Sequence, residues 1–202
     1  MTANLLELND YDLGIPSGPK FKCGIQFVVG AGQIAWVRGQ NGSGKSTLLK
    51  QIMEADISSP SLKIHVPITE RALFAQNVSP FGFPVLQAIE LESILISKAG
   101  TSRTDAQRKI FDPEGRDQRW ARRSLHLLSG GELKRVLLSG LLRSSARLLL
   151  LDEPENNLDQ ESMAALLTAS QEFVGQNDRG ILWVTHRHQP QSGQSFLDLD
   201  RQ

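Results

Sequence analysis

The chain has 202 residues, with 22 Lys plus Arg balanced by 22 Asp plus Glu. That is about one to one and a half typical domains, ample for a sizeable core and without a global basic field to attract nucleic acid. The single cysteine, Cys23, permits no internal disulfide and fits a reducing cytosol; no apolar run approaches the roughly 20 residues needed to span a bilayer, and Met1-Thr2-Ala3-Asn4-Leu5-Leu6-Glu7 lacks a basic leader start. The expectation is a protein that is soluble by itself.

In chain order, the first element with chemistry attached is the apolar stretch Gln33-Ile34-Ala35-Trp36-Val37, a short buried strand. A glycine-rich loop follows, Gly39-Gln40-Asn41-Gly42-Ser43-Gly44-Lys45-Ser46, and then a helix whose Leu48, Leu49, Ile52 and Met53 form one apolar stripe. G-x-x-x-x-G-K-S between a strand and a helix is the context of a phosphate-binding loop. Its glycines let backbone N–H groups wrap phosphates, and the helix N-terminus presents its positive dipole end. Lys45 is then expected to reach the β- and γ-phosphates and Ser46 to hold Mg²⁺, with Thr47 in the same first turn.

Ala72-Leu73-Phe74-Ala75 is a further apolar run, closed by Gln76. Over about 77–128 the strand signals vanish. Val85 to Ile96 reads as an apolar helix, Thr104-Asp105-Ala106-Gln107 as a helix start, and Pro113 as a break. Pro80-Phe81-Gly82-Phe83-Pro84-Val85 leads into this region; its aromatics either rim an interface or close the core under a proline-rich turn. Arg116, Arg119, Arg122 and Arg123 near Trp120 would suit a phosphate or lipid surface, but Asp112, Glu114 and Asp117 are interleaved, the pattern of a solvated helix face.

Leu128-Ser129-Gly130-Gly131-Glu132 fits a capping box, S-x-x-E, with Leu133, Val136, Leu137 and Leu141 at helical spacing behind it. The segment therefore starts a helix, and an exposed helix start with a serine hydroxyl and a glycine-cleared surface is also an anion site. Two phosphate sites at separate corners of one domain cannot share one phosphate chain, which a head-to-tail dimer resolves. Leu148-Leu149-Leu150-Leu151 reads as a central parallel strand buried on both faces. Asp152 emerges at its carboxyl end, where an α/β sheet places ligands, to orient Mg²⁺ through a coordinated water, and Glu153 is placed to polarise an attacking water. Ile181-Leu182-Trp183-Val184-Thr185 is another buried strand; it ends at His186, where a phosphate sensor would sit, with His188 two positions beyond. His65 and His126 carry no expected role.

These motifs, with Asn157-Leu158-Asp159, run in the order found in an ATP-binding cassette (ABC) ATPase, which the chain resembles over nearly its whole length. The resemblance implies one domain over 1–202, with an α/β P-loop core at 1–75 and 130–202: a mostly parallel sheet flanked by helices and a small antiparallel part near the N-terminus. It implies an inserted helical subdomain at about 77–128. It also implies ATP and Mg²⁺ as cofactors, and residues Gly39 to Thr47 as the phosphate cradle. Ser129, Gly130 and Gly131 would contact the γ-phosphate held by the opposite subunit. Gln76 resembles the glutamine that senses Mg²⁺ and the attacking water, Glu153 the general base, Asp159 the loop that crosses the dimer interface, and His186 the switch histidine. Lys45 completes the catalytic set.

Two positions depart from the family pattern. The aromatic on which many members stack adenine would fall near Ile15, with Tyr11 too early and Phe21 too late, so adenine contact is expected to be apolar. Glu155 stands where a small or hydroxyl residue is common, without an evident mechanism. The segment after Gln76 resembles the one through which transporter ATPases grip a membrane subunit. The resemblance thus implies the ATPase subunit of a transporter, a homodimer or a dimer with a related ABC subunit, on the inner face of the cell membrane beside separately encoded permease subunits. A soluble ABC ATPase acting on ribosomes, nucleic acid or protein assembly is the alternative, since Glu155-Asn156-Asn157-Leu158-Asp159 is similar to the translation-factor branch; that branch carries two cassettes per chain. In the transporter reading cargo is chosen by subunits other than this chain.

Overall fold

Leu148-Leu149-Leu150-Leu151 has no polar face to turn toward water, so it needs partners along both edges and cover on both faces. In the structure, a computed structural model that describes residues 3–14, 20–55, 59–75, 104–111, 123–156, 158–176, 178–186 and 194–200, it forms strand β6, Leu148–Asp152, with all five residues buried. Gln76, Ile15, His188, the 80–85 segment, the expected helix from Val85 and the arginines 116, 119 and 122 lie outside those residues.

Strand β6 belongs to a five-stranded parallel sheet of order β5-β6-β7-β3-β8. Its other members are β3 (Ile34–Arg38), β5 (Arg71–Phe74), β7 (Gly180–Thr185) and β8 (Phe196–Asp198). The register levels the carboxyl ends: Arg38 stands opposite Thr185, and Asp152 opposite Val184. Whatever follows β3, β6 and β7 therefore leaves the sheet at one edge, where open α/β sheets hold their ligands. Trp36 and Trp183 are paired across β3 and β7 with ring centroids 4.8 Å apart, an aromatic cross-strand pair that reinforces this register.

A smaller antiparallel sheet, order β2-β1-β4, is made of β1 (Asn4–Gly14), β2 (Lys20–Gly30) and β4 (Leu62–Ile64). Helix α1, Lys45–Glu54, buries Leu48, Leu49 and Ile52. They share a core with Leu6 and Val29 of the antiparallel sheet and Leu150, Leu182 and Val184 of the parallel one. The α/β P-loop architecture with a small antiparallel sheet is thus the one expected.

The end of α1 is secured by a buried cation. Its last carbonyls have no partner within the helix, and Arg71, 8% exposed at the start of β5, supplies one. Arg71 Nη1 donates to Ile52 O at 3.0 Å and Ala55 O at 2.6 Å, while Nε donates to Val66 O at 2.9 Å. A guanidinium at a helix C-terminus also opposes the negative end of the dipole.

Chain contacts divide the molecule into two compact units, residues 1–75, 146–153 and 174–202 in one and residues 76–145 and 154–173 in the other. Among the described residues, the second holds α2 (Asp105–Phe111) and α3 (Gly130–Leu141), which pack together, and nearly all of α4 (Gln160–Val174). Thr104 and Gln107 cap α2 reciprocally, each side chain bonding the other's backbone N–H at 3.3 and 3.0 Å, so the helix starts where Thr104-Asp105-Ala106-Gln107 predicts. No helix among the described residues is long and apolar enough to cross a membrane.

Because three carbonyls converge on one forked donor, Arg71→Met is expected to lower stability by about 3 kcal/mol, since bonds to charged donors contribute roughly 1.5–3 kcal/mol each and orphaned carbonyls add a penalty. Arg71→Lys should recover less than half, as one ammonium lacks the fork. Urea unfolding followed by circular dichroism measures both; a loss below about 1 kcal/mol in Arg71→Met would show that water replaces the guanidinium.

Candidate active site

Strand β3 delivers the chain to Gly39, and α1 begins at Lys45, so the glycine-rich loop occupies the strand-to-helix turn. Two glycines shape it. Gly44, the N-cap of α1, has φ of 98°, which side-chain-bearing residues avoid, and a Cβ there would stand 2.8 Å from Leu13 Cδ2. A Cβ on Gly39 would collide with Ser43 Oγ. The first turn of α1 holds no acidic residue, so no carboxylate of its own helix competes with an anion for its N–H groups and dipole.

Lys45 folds back along this loop. Its ammonium is buried at 6% exposure, donates to Gly39 O at 2.7 Å and Gln40 O at 2.9 Å, and lies 3.7 Å from Glu153 Oε1. The next residue, Ser46, donates its hydroxyl to Asp152 Oδ2 at 2.8 Å. A hydroxyl and a carboxylate are hard oxygen donors of the kind that suit Mg²⁺, which keeps several waters and takes one or two protein ligands beside phosphate oxygens. The pair fits an ion that takes its remaining ligands from phosphate and water. Beside the pair opens a cleft of about 300 Å³, with Leu49, Met53, Leu73 and Ala75 as apolar walls and Ser46, Lys50, Glu54 and Asp152 as its polar lining. Ala75 is the last described residue before Gln76.

Glu153 follows β6 with its backbone in the left-handed region, φ 47°. For a residue with a side chain this costs on the order of 1–3 kcal/mol, and strain of this kind collects at functional sites. The bend is held by Glu153 N–H donating to Val184 O at 3.0 Å. It turns a carboxylate that is 5% exposed toward the loop. Oε1 of Glu153 then lies between Lys45 Nζ and His186 Nδ1, the latter at 3.3 Å. His186 follows β7 directly, with its side chain 40% exposed. One edge of the sheet thereby gathers Lys45, Ser46, Asp152, Glu153 and His186.

In the other unit, Ser129 is the N-cap of α3, and both halves of the capping box are made: Ser129 Oγ accepts from Glu132 N at 3.2 Å, and Glu132 Oε2 accepts from Ser129 N at 2.7 Å. Ser129 and Gly130 are exposed. A Cβ on Gly130 or Gly131 would meet nothing within 4 Å, although each glycine costs a helix about 0.5–1 kcal/mol relative to alanine. Packing among the described residues therefore does not require either glycine. Asp159 caps α4: its Oδ1 accepts from Ser162 N at 2.7 Å, and that backbone bond, then the Ser162 hydroxyl, holds its carboxyl below the usual range.

Glu155, without an evident mechanism in the sequence, is buried. Tyr11 has its hydroxyl engaged with α1, donating to Gln51 Oε1 at 2.8 Å, and burial pushes its pKa up. Two features at the site carried no sequence signal. One is the strained backbone of Glu153. The other is Asp200, 160 residues from the loop, whose carboxylate accepts the Gln40 N–H.

Residues 23–156 match the family described as ABC transporter. The aliphatic sulfonates import ATP-binding protein SsuB 2 of Rhodococcus jostii is 31% identical over 181 residues, covering 89% of this chain and 66% of that protein. The zinc import ATP-binding protein ZnuC of Cereibacter sphaeroides is 32% identical over 154 residues, covering 76% and 61%. ABC transporter F family member 4 of Arabidopsis thaliana is 28% identical over 193 residues, covering 92% and 25%. The chain thus spans between 25% and 66% of the length of these relatives. Among solved structures, an ABC transporter ATP-binding protein from Pyrococcus furiosus superposes with a TM-score of 0.74 at 22% identity, covering 97% of this chain and 98% of that one, a likeness that carries the fold. The matched stretch runs from before the glycine-rich loop to beyond Asp152 and Glu153, and the chain belongs to the ABC transporter ATP-binding family.

Proposed function

We propose that the chain is one cassette, the ATP-binding and hydrolysing subunit of a transporter. In this reading two copies, or this chain and a related one, close head to tail on ATP and work at the inner face of the membrane beside separately encoded permease subunits. The observation that carries the reading is the convergence of Lys45 and His186 on Glu153 Oε1, beside the Ser46–Asp152 hydrogen bond. A triphosphate on the loop would draw Lys45 from the Gly39 and Gln40 carbonyls to its β- and γ-oxygens. Ser46 and Asp152 would hold Mg²⁺, which neutralises charge on those oxygens when bound. Glu153 orients a water and takes its proton as the water oxygen bonds the γ-phosphorus and the bond to the β-γ bridging oxygen breaks, leaving ADP and phosphate. His186, against the same carboxylate, senses the γ-phosphate. Gln76 would complete the metal and water contacts.

The trans contact is supported by Ser129, Gly130 and Gly131. Two positions of a helix start that forgo a side chain, one exposed and one half-buried, with open space where the Cβ would be, keep room for a ligand from outside; Asp159 at the N-cap of α4 would lie on the same closing face. Import ATP-binding proteins among the relatives favour transport, with cargo chosen elsewhere. The soluble alternative, on ribosomes, nucleic acid or protein assembly, draws on the Glu155 to Asp159 stretch. Purification from native membranes separates the two: a polytopic subunit that copurifies supports transport, and its absence with ribosomal or soluble partners present supports the alternative.

If Glu153 is the base, Glu153→Gln should bind MgATP yet hydrolyse it at least ~100-fold more slowly, the scale of general-base catalysis. It should also accumulate as an ATP-bound dimer in size-exclusion chromatography. Near-wild-type turnover moves the base elsewhere, with His186 the next suspect.

Mixing two inactive variants tests the trans site. Lys45→Ala removes the charge that neutralises the phosphates; Ser129→Arg leaves binding in its own loop intact and blocks closure by bulk. Each alone is expected to be inactive. The mixed dimer has one composite site with both halves wild type, so partial ATPase recovery is expected. Normal hydrolysis by Ser129→Arg alone at high dilution would reduce Ser129 to a helix cap.

A further inference from the structure

We propose that Asp200 is a positioning residue for the phosphate-binding loop, acting through a single peptide unit; this rests on the reading that the loop binds nucleotide. Strand β8 runs parallel to β3 with Asp198 opposite Arg38. The pairing continues one step further, as Leu199 N–H donates to Arg38 O at 2.8 Å. The chain then turns, with Asp200 N–H donating to Asp198 Oδ1 at 3.0 Å. The turned carboxylate meets the start of the loop, where both of its oxygens accept the Gln40 N–H, at 2.9 and 3.0 Å. The carbonyl of that same peptide unit, Gly39 O, accepts from Lys45 Nζ at 2.7 Å.

One amide plane is therefore gripped at both ends, by a carboxylate on its N–H and an ammonium on its carbonyl. A peptide group is planar, so fixing both ends fixes its rotation. Both bonds are charge-assisted, and each polarises the amide in the direction that strengthens the other. The grip matters here because Gly39 brings no Cβ to restrain the rotation, and its neighbours leave room for none: a Cβ would meet Ser43 Oγ on one side and come within 3.2 Å of Leu199 Cβ on the other. Without Asp200 the plane is free to turn. Nucleotide must then order the loop as it binds, which lowers affinity. At saturation the bound nucleotide itself orders the loop, so the effect falls on KM and not on kcat.

A carboxylate near a phosphate site also repels the ligand, and this opposite expectation makes the test decisive. Fluorescence titration of the full chain with mant-ATP and Mg²⁺, together with steady-state ATPase assays, should show Asp200→Ala raising Kd and KM about five- to tenfold with kcat within about twofold, the scale of one lost charge-assisted bond. Asp200→Asn keeps an acceptor for the Gln40 N–H and should stay within about twofold of wild type. Unchanged or tighter binding in Asp200→Ala, or an Asn variant as weak as the Ala one, overturns the proposal. Hydrogen exchange at the Gln40 amide of the wild-type chain is an independent check if the Ala variant does not fold. Slowing of at least about tenfold relative to an unstructured peptide is expected from a held N–H, and exchange at the unstructured rate overturns the proposal too. A wild-type chain that fails to bind mant-ATP sinks the nucleotide reading itself, whereas binding that ignores Asp200 sinks only the present inference.

Discussion

A buried ammonium has to be answered, and in this protein the answer organises the site. Lys45 is nearly removed from water, where an unpaired charge is prohibitively costly. Its partners are two carbonyls of its own loop and the carboxylate of Glu153. Each partner brings a constraint. The carbonyls require the loop to curl back over the start of α1, which Gly44 permits in the left-handed region. The carboxylate requires Glu153 to bend inward from the end of β6, at the cost of a strained backbone. The parallel register makes both possible by bringing β3, β6 and β7 to a common edge.

The residues expected to contact phosphate fall in both compact units. The Lys45, Ser46, Asp152, Glu153 and His186 set belongs to one; the Ser129 cap and the Asp159 cap belong to the other. The Ser129 cap bonds its own helix start reciprocally through Glu132, and Asp159 accepts the Ser162 N–H of α4. The proposed anion-binding role of the α3 start rests on the two glycines after Ser129, which nothing inside the described protein demands. A local structural role and an anion-binding role use the same geometry, since a capped helix start still presents N–H groups and the positive end of its dipole.

Order was legible in the sequence wherever chemistry and periodicity coincide over a few residues. The four leucines of β6 had to be an interior strand. The G-x-x-x-x-G-K-S run had to be a strand-to-helix turn, and S-x-x-E a helix start; each depends on neighbours within one turn of chain, and each stands where expected. Thr104 and Gln107 are a further case, two residues whose reciprocal bonds fix a helix start locally.

What only the tertiary structure decided are contacts between residues far apart in the chain. Arg71 closing α1 through Ile52 and Ala55, Glu153 set between Lys45 and His186, and Asp200 on the Gln40 amide all join segments brought together by sheet order. No local pattern encodes them, because the strand order β5-β6-β7-β3-β8 is not the chain order. The backbone strain at Glu153 is likewise invisible to propensity: a glutamate adopts φ of 47° only where the surrounding packing over-determines it. The sequence by itself determined which groups are available for phosphate chemistry, because motif spacing is local. The fold decided which of them face one another, because that depends on strand order and register.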